Sequence, residues 1–184
     1  MDEDINKILI TEEQLRSKIS ELGVRISDDY HGRIPFLVCV LKGAFIFLAD
    51  LVRAISIPVE MDFMTVSSYN RSTSSGIVRI IGDLSYSIEG REVLIVEDII
   101  DSGLTLSFLK ENLLVRRPSD LKVCALLVKD IPRGEGVEID YVGFEIPGDF
   151  VVGYGLDYNG RYRNLSYVGV LRDEIINGIG NGMP

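Results

Sequence analysis

The chain has 184 residues, 46% of them apolar and 26% charged, which suits one compact soluble domain that buries a core without disulfide staples. Its formal net charge is −9 with no basic run, a poor match for generic nucleic-acid binding, where phosphate neutralisation dominates. Mean hydropathy is slightly positive, yet no apolar run approaches the roughly 18 residues of a membrane helix. The acidic opening Met1-Asp2-Glu3-Asp4 lacks a signal-peptide layout, so a cytoplasmic chain is expected.

Thr11-Glu12-Glu13-Gln14 is a capping-box pattern between Ile10 and Leu15, a possible hydrophobic staple. Leu15, Ile19, Leu22 and Ile26 follow at helical spacing, predicting an amphipathic scaffold helix to about Asp28. His31, the one histidine, sits after Asp28-Asp29-Tyr30 and reads as a surface or linker residue. It leaves little room for a Ser-His-Asp triad or a His-dependent metal site. Phe36 to Leu41 is a buried-strand candidate that ends at Lys42-Gly43, with a largely buried helix from Ala44 to Ile55. The full phosphate-loop pattern G-x-x-x-x-G-K-[ST] is absent, so Lys42-Gly43 alone is a weak signal. Pro58 to Val66 reads as a third strand and Ile77 to Ile81 as its returning partner. The polar segment Ser67 to Gly76 between them is either a surface loop or a lid.

Val93 to Val96 is again a buried strand. It breaks into Glu97-Asp98-Ile99-Ile100-Asp101-Ser102-Gly103-Leu104-Thr105, after which Leu106, Leu109 and Leu113 recur at helical spacing. Open α/β sheets place ligands between a strand end and a helix start. Backbone N–H groups at a glycine turn suit a phosphate, and acids ahead of it suit hydroxyls or a metal. This stretch therefore reads as a sugar-phosphate site. Leu121 to Val128 is a further buried strand ending at Lys129-Asp130-Ile131-Pro132-Arg133-Gly134, followed by shorter strands at Ile139–Phe144, Phe150–Val152 and Tyr167–Leu171. Pro147-Gly148 marks a turn, Gly153-Tyr154-Gly155 a flexible continuation, and Asp157 to Arg163 a polar loop with an Asn-Gly turn. The glycine-rich tail Asn177–Gly182 is expected to fray. Cys39 and Cys124 lie in apolar strand-like runs and read as reduced core thiols. Strands alternating with helices predict an α/β fold, a mainly parallel sheet with helices on both faces.

With the Glu97–Thr105 motif in view, the chain resembles the type I phosphoribosyltransferases, and among them the hypoxanthine-guanine phosphoribosyltransferases. The resemblance runs from about Phe36 to Leu171. It rests on Leu41-Lys42-Gly43, Ser68-Tyr69, the acidic motif, Leu127-Val128-Lys129, and Phe150 to Tyr158 with Arg163. It implies one domain over 1–184, with a hood built from the N- and C-terminal segments and a lid over about 67–80. The implied reaction moves ribose 5-phosphate from 5-phospho-α-D-ribosyl 1-diphosphate to hypoxanthine or guanine, giving IMP or GMP and diphosphate, with Mg²⁺ as cofactor.

By that resemblance Asp101 to Thr105, including Ser102, Gly103 and Leu104, cradle the 5′-phosphate, and position 104 leaves any extra phosphate contact open. Glu97 and Asp98 hold the ribose hydroxyls and Mg²⁺, and Asp157 helps bind a second ion. Asp101 is the acid/base for the purine N7. Lys42, Gly43, Arg163, Ser68 and Tyr69 serve the diphosphate, at a turn that in this family often carries a cis peptide before the lysine. Lys129, Phe150, Val151 and Asp157 serve the base. The resemblance also implies a homo-oligomer, a dimer or tetramer, and no nucleic-acid or membrane partner. An enzyme for xanthine or adenine, a nucleotide-sensing RNA-binding regulator on the same fold, and a P-loop kinase are the competing readings. Lys129 favours a 6-oxo over a 6-amino group because an ammonium only donates.

Overall fold

A computed structural model describes residues 1–69, 77–130 and 138–178. The chain runs β1 (Ile5–Ile10), α1 (Glu12–Asp29), β2 (Phe36–Leu41), α2 (Phe45–Ala54), β3 (Glu60–Tyr69) and β4 (Ile77–Gly82). It continues through β5 (Glu92–Ile100), α3 (Leu104–Leu114), β6 (Asp120–Lys129), β7 (Tyr141–Ile146), β8 (Val151–Val152), β9 (Val168–Leu171) and α4 (Asp173–Gly178).

α1 begins at the expected capping box. The Thr11 hydroxyl accepts from the Gln14 N–H at 3.3 Å, and the Gln14 side chain accepts from the Thr11 N–H at 2.8 Å. Ile10 and Leu15 are both buried against this start, which fixes how the chain enters the helix.

Six strands form one sheet in the order β4-β3-β2-β5-β6-β7, all parallel except the β3–β4 pair. The pleat sends alternate side chains to opposite faces. Leu37, Cys39, Leu94, Val96, Cys124 and Leu126 meet α1 and α2 on one face. Val38, Val40, Val93, Ile95, Val123 and Ala125 meet Leu106, Leu109 and Leu113 of α3 on the other. Both faces are covered, so the central strands carry unbroken apolar runs rather than alternation. Cys39 and Cys124 are free and fully buried there. Burial pushes the Cys39 thiol up to about 12, helped by Glu97 and Asp98, and raises that of Cys124 as well.

After β2 the chain moves outward to β3, then returns to place β5 on the other side of β2. The order reverses between β2 and β5, so a crevice opens at their carboxyl ends. A separate antiparallel sheet, β1-β9-β8, joins the first strand to the last ones. The Tyr162 hydroxyl donates to Asp4 at 3.0 Å and holds that sheet to the loop before β9.

The fold class stands as expected, and several boundaries move. β5 runs on through Glu97 and Asp98 to Ile100, because Glu97 and Ile99 stay in register with Ala125 and Leu127 of β6. β3 takes in Ser67, Ser68 and Tyr69, paired with Arg79, Val78 and Ile77, so the start of the polar segment is strand. β7 lies about two residues later than its apolar run suggested. β1 and α4 are elements that periodicity did not reveal, and α4 absorbs Asn177 and Gly178. Segment 70–76, the continuation 131–134 after Lys129-Asp130, and the tail from 179 lie outside the described residues. His31 is exposed, as expected.

Candidate active site

The crevice holds a cavity of about 410 Å³. Two strand-to-helix turns form its floor, one after β2 at Lys42-Gly43 and one after β5 at Asp101-Ser102-Gly103. Gly103 caps α3 with φ of 81°, a left-handed conformation that costs glycine little. No side chain caps the first turn of α3, and Ser102, Gly103 and Thr105 at that turn line the cavity, an arrangement suited to an anion. Leu104 does not line the cavity; it is 60% exposed.

Glu97 and Asp98 stand on the end of β5. Glu97 is 5% exposed, and burial first, then the Asp98 charge, pushes its carboxyl well above the usual range. Asp98 is also pushed up, chiefly by burial, with Arg163 nearby easing the cost. The Asp98 carboxylate accepts from the Ile99 N–H at 2.8 Å. It also presses so closely on Gly43 that a methyl group at position 43 would overlap it. The peptide bond between Leu41 and Lys42 is cis.

The opposite wall comes from Phe150, β8 and the β8–β9 connection. Phe150, 42% exposed, presents its ring to the cavity and meets Tyr158 edge-on at 5.5 Å. Val151 and Leu156 line the wall beside it. Gly153-Tyr154-Gly155, expected as a flexible continuation, is a hydrogen-bonded turn. Its Gly153 N–H donates to the Leu156 carbonyl at 3.1 Å and the Leu156 N–H returns to the Gly153 carbonyl at 3.0 Å. Asn159 and Gly160 both have positive φ (51° and 77°), making the expected Asn-Gly hairpin turn between Tyr158 and Arg161.

Two of the three cations expected at the site, Lys129 and Arg163, already have acid partners. Lys129, at the end of β6, donates to Asp101 at 2.9 Å. Arg163 donates to the Gly155 carbonyl at 2.6 Å and pairs with Asp157 at 2.5 Å. The other Asp157 oxygen accepts from the Gly160 N–H at 2.7 Å. Asp157 therefore lines the cavity while facing protein partners. Among the described residues no three His, Cys, Asp or Glu side chains converge as a ready metal cage. A divalent ion at Glu97-Asp98 fits the chemistry of two adjacent carboxylates that burial pushes up, and would complete its shell with ligand and water oxygens.

The cavity thus gathers Lys42, Gly43, Glu97, Asp98, Asp101, Ser102, Gly103, Thr105, Lys129, Phe150, Val151, Asp157 and Arg163. Ser68 and Tyr69 take part in β3 pairing, opposite Val78 and Ile77 of β4. Sequence reasoning missed Gly155, whose backbone abuts the Gly43 carbonyl; its one signal was a glycine beside a turn.

The model of the phosphoribosyl transferase domain matches residues 8–159. The chain belongs to the phosphoribosyltransferase family. This phosphoribosyltransferase is 57% identical over 179 residues to the hypoxanthine-guanine phosphoribosyltransferase of Mycobacterium avium, spanning 94% of this chain and 88% of that protein. It is 52% identical over 176 residues to the enzyme of the same name from Bacillus subtilis, spanning 95% and 98%. The solved structure of a hypoxanthine phosphoribosyltransferase from Staphylococcus aureus superposes with a TM-score of 0.91 at 44% identity, over 95% of this chain and 96% of that one.

Proposed function

We propose that this phosphoribosyltransferase moves the 5-phosphoribosyl group of 5-phospho-α-D-ribosyl 1-diphosphate to hypoxanthine or guanine, releasing IMP or GMP and diphosphate. One observation carries the reading: a single cavity of about 410 Å³ joins an anion cradle, two buried carboxylates and an exposed aromatic beside a lysine. The names of the relatives point the same way.

In this reading the α3 N-terminus, with Ser102 and Thr105, takes the 5′-phosphate. Glu97 and Asp98 accept from the ribose 2′- and 3′-hydroxyls and hold Mg²⁺, which supplies positive charge to the departing diphosphate when bound. The Lys42-Gly43 backbone and Arg163 hold the diphosphate. Asp157, paired with Arg163, would help hold a second ion through its remaining lone pairs. Phe150 stacks on the purine, Val151 offers backbone contacts, and Lys129 donates to the 6-oxo oxygen. That oxygen competes with Asp101 for the ammonium, so base binding releases the Asp101 carboxylate to handle the N7 proton. The bond from C1′ to oxygen breaks through an oxocarbenium-like state that needs water excluded. The β3–β4 hairpin serves as lid and the β1–β9–β8 sheet as hood of one catalytic unit.

Incubation with phosphoribosyl diphosphate, Mg²⁺ and each of hypoxanthine, guanine, xanthine and adenine, with separation of products, tests the proposal. Nucleotide is expected from hypoxanthine or guanine and not from adenine, and chelation of Mg²⁺ abolishes it. Absence of IMP and GMP overturns the reading.

A further inference from the structure

Three successive residues of the β8–β9 connection have positive φ: Gly153 at 99°, Tyr154 at 50° and Gly155 at 103°. Glycine adopts this region freely, whereas a bulky tyrosine does so at a cost that its surroundings must offset. Two backbone bonds hold the turn, Tyr154 N–H to the Leu165 carbonyl and Gly155 N–H to the Arg163 carbonyl, each at 2.9 Å. A third tie comes from the side chain. The Tyr154 ring is 7% exposed, and its hydroxyl donates to the Asp50 carboxylate. Tyr154 and Asp50 border a second cavity of about 620 Å³ between α1, α2 and the 164–166 loop. The phenol tip thus has open space beside it, and its hydrogen bond does the locating there.

Asp50 lies on α2, which starts directly after the Lys42-Gly43 turn, with the Leu48 N–H donating to the Ala44 carbonyl at 2.8 Å. Buried Phe47, Leu48 and Leu51 seat that helix on the sheet. Gly155, next to Tyr154, lies against the Gly43 carbonyl, and its own carbonyl accepts from Arg163. The turn after β8 therefore touches the turn after β2 directly through Gly155, and the helix that follows that turn through Tyr154 to Asp50. We infer that Asp50 and Tyr154 are positioning residues for the diphosphate subsite: their hydrogen bond clamps the Gly155 turn onto Lys42-Gly43 and thereby sets Arg163. Neither residue borders the reacting cavity.

This inference rests on the proposed transfer reaction for its kinetic arm, and a second arm needs no reaction. Tyr154→Phe, Asp50→Ala and Asp50→Asn are compared in the full chain by initial rates, varying each substrate in turn, and by hydrogen exchange over 41–46. Tyr154→Phe and Asp50→Ala should raise the KM for phosphoribosyl diphosphate about three- to tenfold, the reach of one lost hydrogen bond. The KM for the base and kcat should stay within about twofold, and exchange over 41–46 should quicken. Asp50→Asn keeps an oxygen that accepts from the phenol and should behave like the wild type. Unchanged KM with unchanged exchange overturns the inference, as does a loss shared equally by kcat and both KM values. If the wild type forms no nucleotide, the transfer reading fails alone, and faster exchange in Tyr154→Phe but not Asp50→Asn still establishes the clamp.

Discussion

Asp101 and Lys129 face each other at 2.9 Å with side-chain exposures of 56% and 12%, so the cation is the buried partner and the acid the reachable one. A carboxylate so placed can swing between its lysine and a ligand, whereas Lys129 is held at the end of β6 for a group that comes to it. Asp101→Asn should lower turnover roughly 10²-fold while leaving phosphoribosyl diphosphate binding largely intact, measured by single-turnover rates and calorimetry. Lys129→Met should raise the KM for hypoxanthine more than that for phosphoribosyl diphosphate, because it removes the donor to the 6-oxo oxygen and nothing that holds phosphate. Thirteen expected residues meet at one cavity, and they were legible because chemistry-bearing residue types recur at strand ends. The pairing of two cations with acids was not legible: Lys129 with Asp101 depends on how β6 and β5 end side by side, and Arg163 with Asp157 on how the β8–β9 loop folds back on itself.

At the level of elements, the turn after β2 is packed from two sides. Asp98 of β5 occupies the space a Cβ on Gly43 would need, and Gly155 needs its own missing Cβ to approach the Gly43 carbonyl. Gly43→Ala should therefore displace Asp98 and weaken phosphoribosyl diphosphate binding by about tenfold or more, a cost of overpacking. Titration calorimetry checks it, and near-normal affinity for the base alone would show that the damage is local. Strands buried on both faces announced themselves as apolar runs. The end of β5 did not, because Glu97 and Asp98 look like loop until the register with β6 is seen. β1 escaped because Asn6 and Lys7 interrupt its apolar residues, and its pairing with β9 joins residues far apart in the chain.

For the molecule as a whole, the buried acid pair sets a pH dependence. Glu97 has a folded pKa raised above its ordinary 4.5, so the folded chain keeps a proton that the unfolded chain releases. Stability present below that ordinary value is lost as pH rises through the raised folded one. Glu97→Gln should thus raise Tm in the ligand-free protein by about 2–4 °C at about pH 8, the equivalent of about 1 kcal/mol for a chain of this size. At about pH 4 it should change little; thermal melts at both pH values check the difference. The two-faced sheet has another outcome. A thiol reacts as its thiolate, and Cys39 and Cys124 are both fully buried and disfavoured in that form. They are also the chain's two native cysteines. Maleimide dyes should pass both by, so Leu104→Cys, at the 60% exposed residue beside the phosphate cradle, would carry a fluorophore at one address in the otherwise unaltered chain.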